Sequence, residues 1–310
     1  MIDTAIQKLR ANISSVFLGH PTAVDQLLIG LFARGHVLIE DVPGVGKTVL
    51  AKALARSIDC VFSRIQLTPD LMPADVLGVS VYNSTTQKFD FKPGPVFANI
   101  ILADEINRTT PRTQSALLEA MSEEQVSIEN ETLKLERPFM VVATQNPAEF
   151  EGTYYLPENQ LDRFLLRVSV GYPPREAERK ILTTQPGRDA LDQLKPVLTA
   201  ADVVIVQDQV PKTRMEAAIV DYILDLVEAT RRHEQLHLGL SPRGALALTA
   251  AVQSRAVVFA RDFVQPDDVK QLFLAVCAHR VISKSYLNNG DNQSSVRILQ
   301  SILDTVPAPR

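Results

Sequence analysis

The sequence has few cysteines and no excess of positive charge. Two cysteines, Cys60 and Cys277, occur among 310 residues, and neither belongs to a C-x-x-C pair. We therefore expect no disulfide or zinc framework, as is usual in a reducing compartment. Lysine and arginine number 32 against 36 aspartate and glutamate residues, for a formal net charge of −4. Because non-specific binding to a phosphate backbone needs a basic excess, this composition does not favour nucleic acid as a partner.

Long apolar runs are also missing. No uninterrupted apolar stretch in the sequence reaches the length that a membrane-spanning helix needs. The first thirty residues lack the basic segment and following apolar block of a secretory leader. Ile6, Leu9 and Ile13 recur there at helical spacing instead. We predict a cytoplasmic protein without membrane insertion.

The first half of the chain alternates short apolar runs with helical patterns. Runs rich in Val, Ile, Leu and Phe that are nearly continuous in apolar character are typical of strands buried on both faces of a parallel sheet. They lie at residues 36–40, 61–67, 99–104, 139–144 and 164–171. The alternation predicts an α/β domain over residues 1–172, with a parallel sheet of five strands.

Two stretches interrupt this alternation, and a break follows it. Residues 79–92 and 125–137 each place a polar tip between apolar flanks, which predicts two inserted β-hairpins, with irregular surface loops as the alternative. Pro173 and Pro174 mark the break. We predict a linker over residues 173–212 and a small all-α domain over 213–310, because apolar residues there recur at helical spacing.

Residues 41–48 carry the strongest functional signal. They follow the first predicted strand and open a helix, the context in which a glycine-rich Gly-Lys-Thr sequence is a phosphate-binding P-loop. Glycines let backbone amides converge on an anion, the ammonium group of Lys47 can reach the β- and γ-phosphates, and the Thr48 hydroxyl can bind Mg²⁺. The predicted nucleotide contacts are Pro43, Gly44, Val45, Gly46, Lys47, Thr48 and Val49. Asp41 stands where the motif has its first glycine, and a strand–helix turn without a ligand is the alternative.

Polar side chains follow two further predicted strands. Asp104 and Glu105 end one of them, and acidic groups at the carboxyl end of a parallel strand face the ligand crevice. We predict that Asp104 helps Thr48 to hold Mg²⁺ and that Glu105 orients or deprotonates the attacking water. Asn146 ends the next strand, where an amide can contact the γ-phosphate or position water. The alternatives are a solvated strand end for the carboxylates and an Asx turn before Pro147 for the amide.

Two arginines have the chemistry to contact phosphate. Arg163 precedes the fifth predicted strand, and Arg243 begins a helix in the second half of the chain. A guanidinium group suits this role because its fork is rigid and permanently charged. Arg163 pairing with Asp162 or Glu158, and Arg243 as an exposed helix residue, are the alternatives that the sequence leaves open.

Together these residues resemble the MoxR family of AAA+ ATPases, which is related to the ATPase subunits of magnesium chelatases. The matching segments cover nearly the whole chain in the expected order, at residues 42–48, 64–73, 93–99, 102–108, 114–121, 143–147, 156–164 and 241–243. The resemblance implies a P-loop αβα sandwich followed by an all-α lid, with ATP and Mg²⁺ bound between them. It makes Asn146 the sensor-1 residue and Arg243 the sensor-2 residue. It makes Arg163 an arginine finger that acts on the nucleotide of the neighbouring subunit, in a homohexameric ring.

The resemblance also implies a biological role. Such a ring would be a chaperone-like motor that remodels, assembles or activates a protein complex or a metalloenzyme. Its expected partners are a protein client and a protein with a von Willebrand factor A domain. The ATPase subunit of a magnesium-chelatase-like complex and a nucleotide-gated assembly module with little turnover are alternatives. A P-loop GTPase would fit the D-x-x-G pattern from Asp75 to Gly78, but the sequence contains no Asn-Lys-x-Asp motif for reading guanine.

Overall fold

A parallel sheet of five strands forms the centre of the computed structural model, which describes residues 2–128, 131–146, 154, 156–184, 188–285 and 293–309. The strands, in chain order, are β1 His36–Glu40, β2 Ile58–Asp59, β3 Phe62–Gln66, β4 Gly78–Asn83, β5 Lys88–Pro93, β6 Ile100–Asp104, β7 Gln125–Ile128, β8 Glu131–Lys134, β9 Met140–Gln145, β10 Phe164–Val168, β11 Leu198–Thr199, β12 Leu236–Leu238 and β13 Ile282–Ser283. The helices are α1 Ile2–Val16, α2 Pro21–Phe32, α3 Lys47–Ser57, α4 Pro73–Leu77, α5 Pro111–Glu123, α6 Glu158–Leu161, α7 Arg175–Thr184, α8 Arg188–Asp192, α9 Ala200–Gln209, α10 Ala217–Arg232, α11 Pro242–Val258, α12 Pro266–Cys277 and α13 Gln293–Thr305.

The sheet has the strand order β10, β1, β9, β6, β3, and each neighbouring pair is parallel. In β1, Val37 and Ile39 belong to one hydrophobic cluster and Leu38 belongs to the other, and none of the three is more than 1% exposed. A strand that is covered on both faces must be apolar on both, which explains the nearly continuous apolar runs. The predicted α/β class and five-stranded parallel sheet are confirmed.

Helices cover both faces of this sheet. On one face α1, α2 and α3 contribute buried residues such as Ile6, Leu27 and Leu50. On the other face α5 contributes Leu117 and Leu118. The result is the layered αβα sandwich that the family resemblance implies.

Each of the two interrupting stretches forms an antiparallel hairpin. Strands β4 and β5 pair from Gly78 opposite Pro93 to Asn83 opposite Lys88. Strands β7 and β8 pair from Gln125 opposite Lys134, and the tip of this hairpin at residues 129–130 lies outside the described residues. The first hairpin is exposed, and Tyr82 and Phe89 stack edge to face on it.

The second half of the chain is helical and packs against the sandwich. Helix α10 buries Ile219, Tyr222 and Leu226, and α12 buries Val269 and Phe273, all of them in the same cluster as the residues of α1 and α2. Helix α11 contacts α2, where the Ser254 hydroxyl donates to the Ile29 carbonyl at 2.8 Å. Among the described residues no helix is both long and apolar enough to cross a membrane.

Residues 173–212, which we expect to link the two parts, contain regular structure of their own. Helices α7, α8 and α9 lie there, and β11 pairs in parallel with β2. Thr199 and Asp202 form a capping box at the start of α9, with Asp202 accepting from the Thr199 amide at 2.9 Å. The limits of the domains remain predictions.

Candidate active site

The loop between β1 and α3 has the backbone that a phosphate site needs. Gly44 and Gly46 adopt φ angles of +87° and +92°, a region that side-chain-bearing residues rarely adopt. A Cβ placed on Gly44 would meet no atom within 4 Å, so the loop is open at this point. Gly46 is the N-cap of α3, and Lys47 and Thr48 are its first residues. The open turn and the free amides of the helix N-terminus fit a polyphosphate.

Lys47 lies between two strand ends. Its ammonium group donates to the carbonyl oxygen of Asp41 at 2.6 Å and lies 3.4 Å from that of Gln145, the last residue of β9. Both acceptors are main-chain oxygens that lie at or just past the carboxyl ends of β1 and β9. The group therefore lies at the mouth of the loop, where a phosphate would replace these acceptors.

Asp41 stabilises the loop through its side chain. Its carboxylate accepts from the Val42 amide at 2.8 Å, from the Ser169 hydroxyl at 2.8 Å and from the Gly171 amide at 2.7 Å. Burial disfavours the charged form, but these hydrogen bonds together hold the pKa of the Asp41 carboxyl below its usual value. Asp41 is not among the described residues with positive φ, so the turn tolerates a side chain here.

Asp104 at the end of β6 is held by two side chains. The Thr144 hydroxyl donates to Oδ1 at 2.6 Å, and Arg64 donates Nη2 to Oδ2 at 2.7 Å. Thr144 is 1% exposed and lies on β9, the strand between β6 and β1. These two contacts thus hold the Asp104 carboxylate at the edge of the sheet that also carries the loop.

Glu105 leaves β6 in a left-handed conformation, with φ of +59°. Its amide donates to the Thr144 hydroxyl oxygen at 2.9 Å, which fixes the turn. Its carboxylate accepts from Gln66 Nε2 at 3.1 Å and lies 3.4 Å from Arg108 Nε. A left-handed glutamate is unusual, and backbone strain of this kind clusters at functional sites.

Asn146 follows β9 directly and is 7% exposed. Strand β9 lies between β1, which leads into the loop, and β6, which carries Asp104. Since the carboxyl ends of parallel strands meet at one edge of a sheet, the structure brings Asn146 to the edge that carries Lys47, Asp104 and Glu105. Pro147, which defines the alternative Asx turn, lies outside the described residues.

The structure places Arg163 and Arg243 away from this edge. Arg163 precedes β10, whose first residue Phe164 pairs with His36 at the start of β1, so it lies at the amino edge of the sheet. Its Nη1 donates to the Leu118 carbonyl at 3.0 Å and contacts Ser122 Oγ on α5. The five residues of β1 span four steps of about 3.3 Å, so this end of the strand lies about 13 Å from the end that enters the loop.

Arg243 lies beside Arg163 rather than beside the loop. Its side chain is 64% exposed, and its Nε is 3.5 Å from Oδ2 of Asp162. One alternative from the sequence was that Asp162 pairs with Arg163. In the structure Asp162 pairs instead with Arg243 and Arg280. The predicted site residues therefore form two groups at opposite edges of the sheet.

The residues present fit a magnesium ion. Thr48 supplies a hydroxyl at the start of α3, and Asp104 supplies a carboxylate at the end of β6. Oxygen donors in small number, completed by water and substrate phosphates, are what Mg²⁺ takes in phosphoryl-transfer sites.

Comparison with known proteins decides the family. Residues 36–166 match the model of the ATPase family associated with various cellular activities (AAA), and residues 228–302 match an AAA lid domain. Chaperone MoxR1 of Mycobacterium tuberculosis is 42% identical over 96% of this chain and 81% of its own length. The chain belongs to the MoxR family of AAA+ ATPases.

Other relatives agree with this assignment. Protein YeaC of Bacillus subtilis is 48% identical over 87% of this MoxR-family chain and 85% of its own length. The crystal structure of a candidate ATPase from Cytophaga hutchinsonii superposes with a TM-score of 0.89 at 35% identity, over 100% of this chain and 96% of that one. The AAA+ fold with its lid, and membership in a family of nucleotide-binding ATPases that includes a named chaperone, are thereby established.

Several functional neighbours in this MoxR-family site are not evident from the sequence. Thr144 connects Asp104 to Glu105, while Arg64 and Gln66 on β3 hold the two carboxylates. One signal was available for Thr144, since a hydroxyl in an otherwise apolar buried strand needs a hydrogen-bond partner. No local pattern indicates Arg280, which contacts Asp162 across 118 residues of sequence.

A cavity of about 490 Å³ lies between the sandwich and the lid helices. Glu40 and Ser169 line it on the side of the sheet, and Gln271, Leu274 and Gln293 line it on the side of the lid helices. Glu40 is the last residue of the strand that leads into the loop. The volume lies within the range of small-molecule sites.

Proposed function

We propose that this chain hydrolyses ATP to ADP and phosphate with Mg²⁺, as a subunit of a ring-shaped, chaperone-like motor. The observation that carries the proposal is the convergence of Lys47, Asp104 and Glu105 on one edge of the sheet, beside an open glycine turn. Phosphoryl transfer depends on positioning and charge stabilisation, and these groups supply both. The cavity beside Glu40 is large enough to receive the rest of the nucleotide.

The roles follow from the geometry. Lys47 and the backbone amides of residues 44–49 bind the phosphates beside Pro43, and Thr48 and Asp104 hold the metal. Mg²⁺ neutralises charge on the phosphate oxygens when it is bound. Glu105, whose amide is bound by Thr144, orients or deprotonates the attacking water, and Asn146 helps to position this water from the neighbouring strand.

The position of Arg163 relative to the loop of its own subunit supports a role in trans. It lies about 13 Å along the sheet from the loop, at the opposite edge. Arg243 shares this position through Asp162, so we assign it to the neighbour's nucleotide as well. A subunit that carries its site at one edge and its arginines at the other is suited to a head-to-tail contact, and such contacts form a ring when the rotation between subunits closes. We propose six subunits, by analogy with the family.

The biological role rests on kinship. A relative over nearly the whole chain is named a chaperone, which supports a protein client. We propose remodelling or assembly of a protein complex or a metalloenzyme in the cytoplasm, with a von Willebrand factor A-domain protein as partner. Co-purification with such a protein rather than with a large chelatase subunit would separate this role from that of a magnesium-chelatase-like complex.

The Glu105→Gln variant tests the chemistry. We expect a fall in kcat of about 10²-fold or more, because a positioned base contributes about 10²–10⁴-fold to the rate. The ATP dissociation constant should change by less than about threefold, because Glu105 is assigned to the attacking water and not to the bound phosphates. ATP and GTP turnover, measured in parallel, and equilibrium nucleotide binding are the readouts.

Glu228→Gln is the matched control for this test. Glu228 is exposed on α10 and pairs with Arg232 at 2.8 Å on the surface, so its loss should leave turnover unchanged. Wild-type turnover in Glu105→Gln would remove Glu105 from the mechanism, and failure of the wild-type protein to bind ATP would overturn the proposed function.

A further inference from the structure

A short turn of the lid holds the chain on both sides of Arg163. The turn is the 3-10 segment Ala278–Arg280, and its Arg280 side chain is 4% exposed. Arg280 donates Nη2 to the carbonyls of Asp162 at 3.2 Å and Phe164 at 2.7 Å, and Nη1 to that of Leu165 at 3.1 Å. These carbonyls flank Arg163, so one buried guanidinium fixes the backbone from which the arginine projects.

The Asp162 carboxylate connects this clamp to Arg243. Oδ1 accepts from Arg280 Nε at 2.8 Å, and Oδ2 lies 3.5 Å from Arg243 Nε. Burial lowers the pKa of the Arg280 guanidinium, and the Asp162 carboxylate opposes this effect. A buried charge of this kind is tolerated because it is paired. Asp162 is therefore required by Arg280 and available to Arg243.

The Arg163 side chain is held from a third direction. Its Nη1 donates to the Leu118 carbonyl at 3.0 Å near the end of α5. The guanidinium is thus oriented by the sandwich, while its backbone is fixed by the lid. Arg163 and Arg243 come from the two parts of the chain, and Asp162, which precedes Arg163 directly, is the residue that pairs with Arg243.

We propose that Asp162 and Arg280 are positioning residues that hold Arg163 and Arg243 as one unit toward the nucleotide of the neighbouring subunit. The inference rests on the proposed trans action of Arg163. Neither Asp162 nor Arg280 lies at the carboxyl edge of the sheet, where the loop of its own subunit is. Loss of either should therefore damage catalysis in the neighbouring subunit and leave ATP binding in the same chain intact. A residue with a structural role alone would not confine its effect to catalysis in the neighbouring subunit.

Complementation between variants supplies the test. Asp162→Asn should lower kcat by about 10²-fold, the cost of misplacing a catalytic group by about 1 Å, with ATP affinity unchanged within about threefold. Mixed with Lys47→Ala subunits, which keep an intact Arg163, it should recover turnover. Mixed with Arg163→Ala subunits it should recover none, because both would lack the same function. Native mass spectrometry would establish that mixed rings form.

A second variant covers the case in which Asp162→Asn does not fold. Arg280→Lys keeps a positive charge beside Asp162 but loses the fork that binds the carbonyls, and it should fall into the same complementation group. Arg255→Lys is the matched control, because Arg255 is another lid arginine with a largely buried side chain that pairs with an aspartate, Asp268, away from Arg163. It should lower the melting temperature and keep kcat.

The outcomes separate this inference from the proposed function. If Lys47→Ala and Arg163→Ala subunits do not rescue each other in mixed rings, trans action itself fails and this inference with it. If they do, but Asp162→Asn and Arg280→Lys are rescued by Arg163→Ala, or lose ATP affinity in step with kcat, the inference alone is overturned.

Discussion

Asp41 replaces a glycine of the P-loop motif with a side chain that the fold uses. Its carboxylate joins the loop to Ser169 and Gly171, just past the end of β10. A glycine has no side chain to make these bonds. The residue therefore holds the phosphate loop against the chain that leads toward the lid.

The stability that Asp41 contributes should depend on pH. We expect Asp41→Asn to lower the free energy of unfolding by about 1–2 kcal/mol at neutral pH, since an amide cannot accept all three hydrogen bonds of the carboxylate. The pKa of Asp41 is lowered in the folded protein, so its contribution is complete above the unfolded value of about 3.9 and is lost as pH falls through the folded value.

Urea unfolding of the wild type and of Asp41→Asn at neutral pH and at about pH 3.5 would measure this dependence. Asp225→Asn, on the exposed surface of α10, is the control and should show no difference at either pH. A destabilisation by Asp41→Asn that is as large in acid as at neutral pH would contradict the electrostatic argument.

At the scale of elements, one buried carboxylate fixes the junction between α11 and α12. Asp268 is fully buried and accepts from Arg255 on α11, from Arg261 Nη1 in the connecting loop at 2.8 Å, and from the Gln265 amide at 2.8 Å. It thus caps α12 and binds the end of α11 in a single contact set. Asp268 thereby stabilises the placement of α11 relative to α12 in the lid.

Asp268→Asn should destabilise the protein by about 3–5 kcal/mol, because the largely buried guanidinium groups of Arg255 and Arg261 both lose their fully buried carboxylate partner. The neighbouring Asp267 is 62% exposed and 3.8 Å from Arg255, so Asp267→Asn should cost less than about 1 kcal/mol. Urea unfolding of both variants compares two adjacent, chemically identical changes. Equal effects would show that burial of Asp268 does not matter to stability.

The strands were predictable because burial on both faces leaves an unbroken apolar run. The run at 36–40 coincides with β1, and the others agree with the sheet to within three residues. The largest difference is at β10, which ends at Val168 rather than at residue 171. The reason lies outside the local sequence, since Ser169 and Gly171 turn to bind Asp41, which is about 130 residues earlier.

The grouping of the candidate nucleotide-binding residues at the carboxyl edge of the sheet was predictable for a related reason. Strand ends converge in a parallel sheet, so Lys47, Asp104 and Asn146 could be grouped from their positions after apolar runs alone. The contacts that orient Asp104 and Glu105 could not be, because they run between strands whose order the sequence does not state. Nor could the position of Arg243, which depends on its contact with Asp162 from a distant part of the sequence.

At the scale of the whole molecule, the proposed site needs residues from two chains. The phosphate loop lies at the carboxyl edge of the sheet, and Arg163 lies at the amino edge. An arginine finger contributes about 10³–10⁵-fold to phosphoryl transfer, so an isolated subunit should be nearly inactive. Turnover per subunit should therefore increase with protein concentration as rings assemble.

A mixture of two inactive variants should recover activity if the finger acts between subunits. Lys47→Ala removes the site but keeps the finger, and Arg163→Ala removes the finger but keeps the site. In randomly mixed rings about one contact in four joins an intact site to an intact finger, so about a quarter of wild-type turnover is expected. Lys47→Ala mixed with Glu105→Gln is the control, because both variants lack a working site and no contact is complete. If mixed rings form but turnover stays at the level of the separate variants, Arg163 does not act in trans, and the sheet edge at which it lies has another purpose.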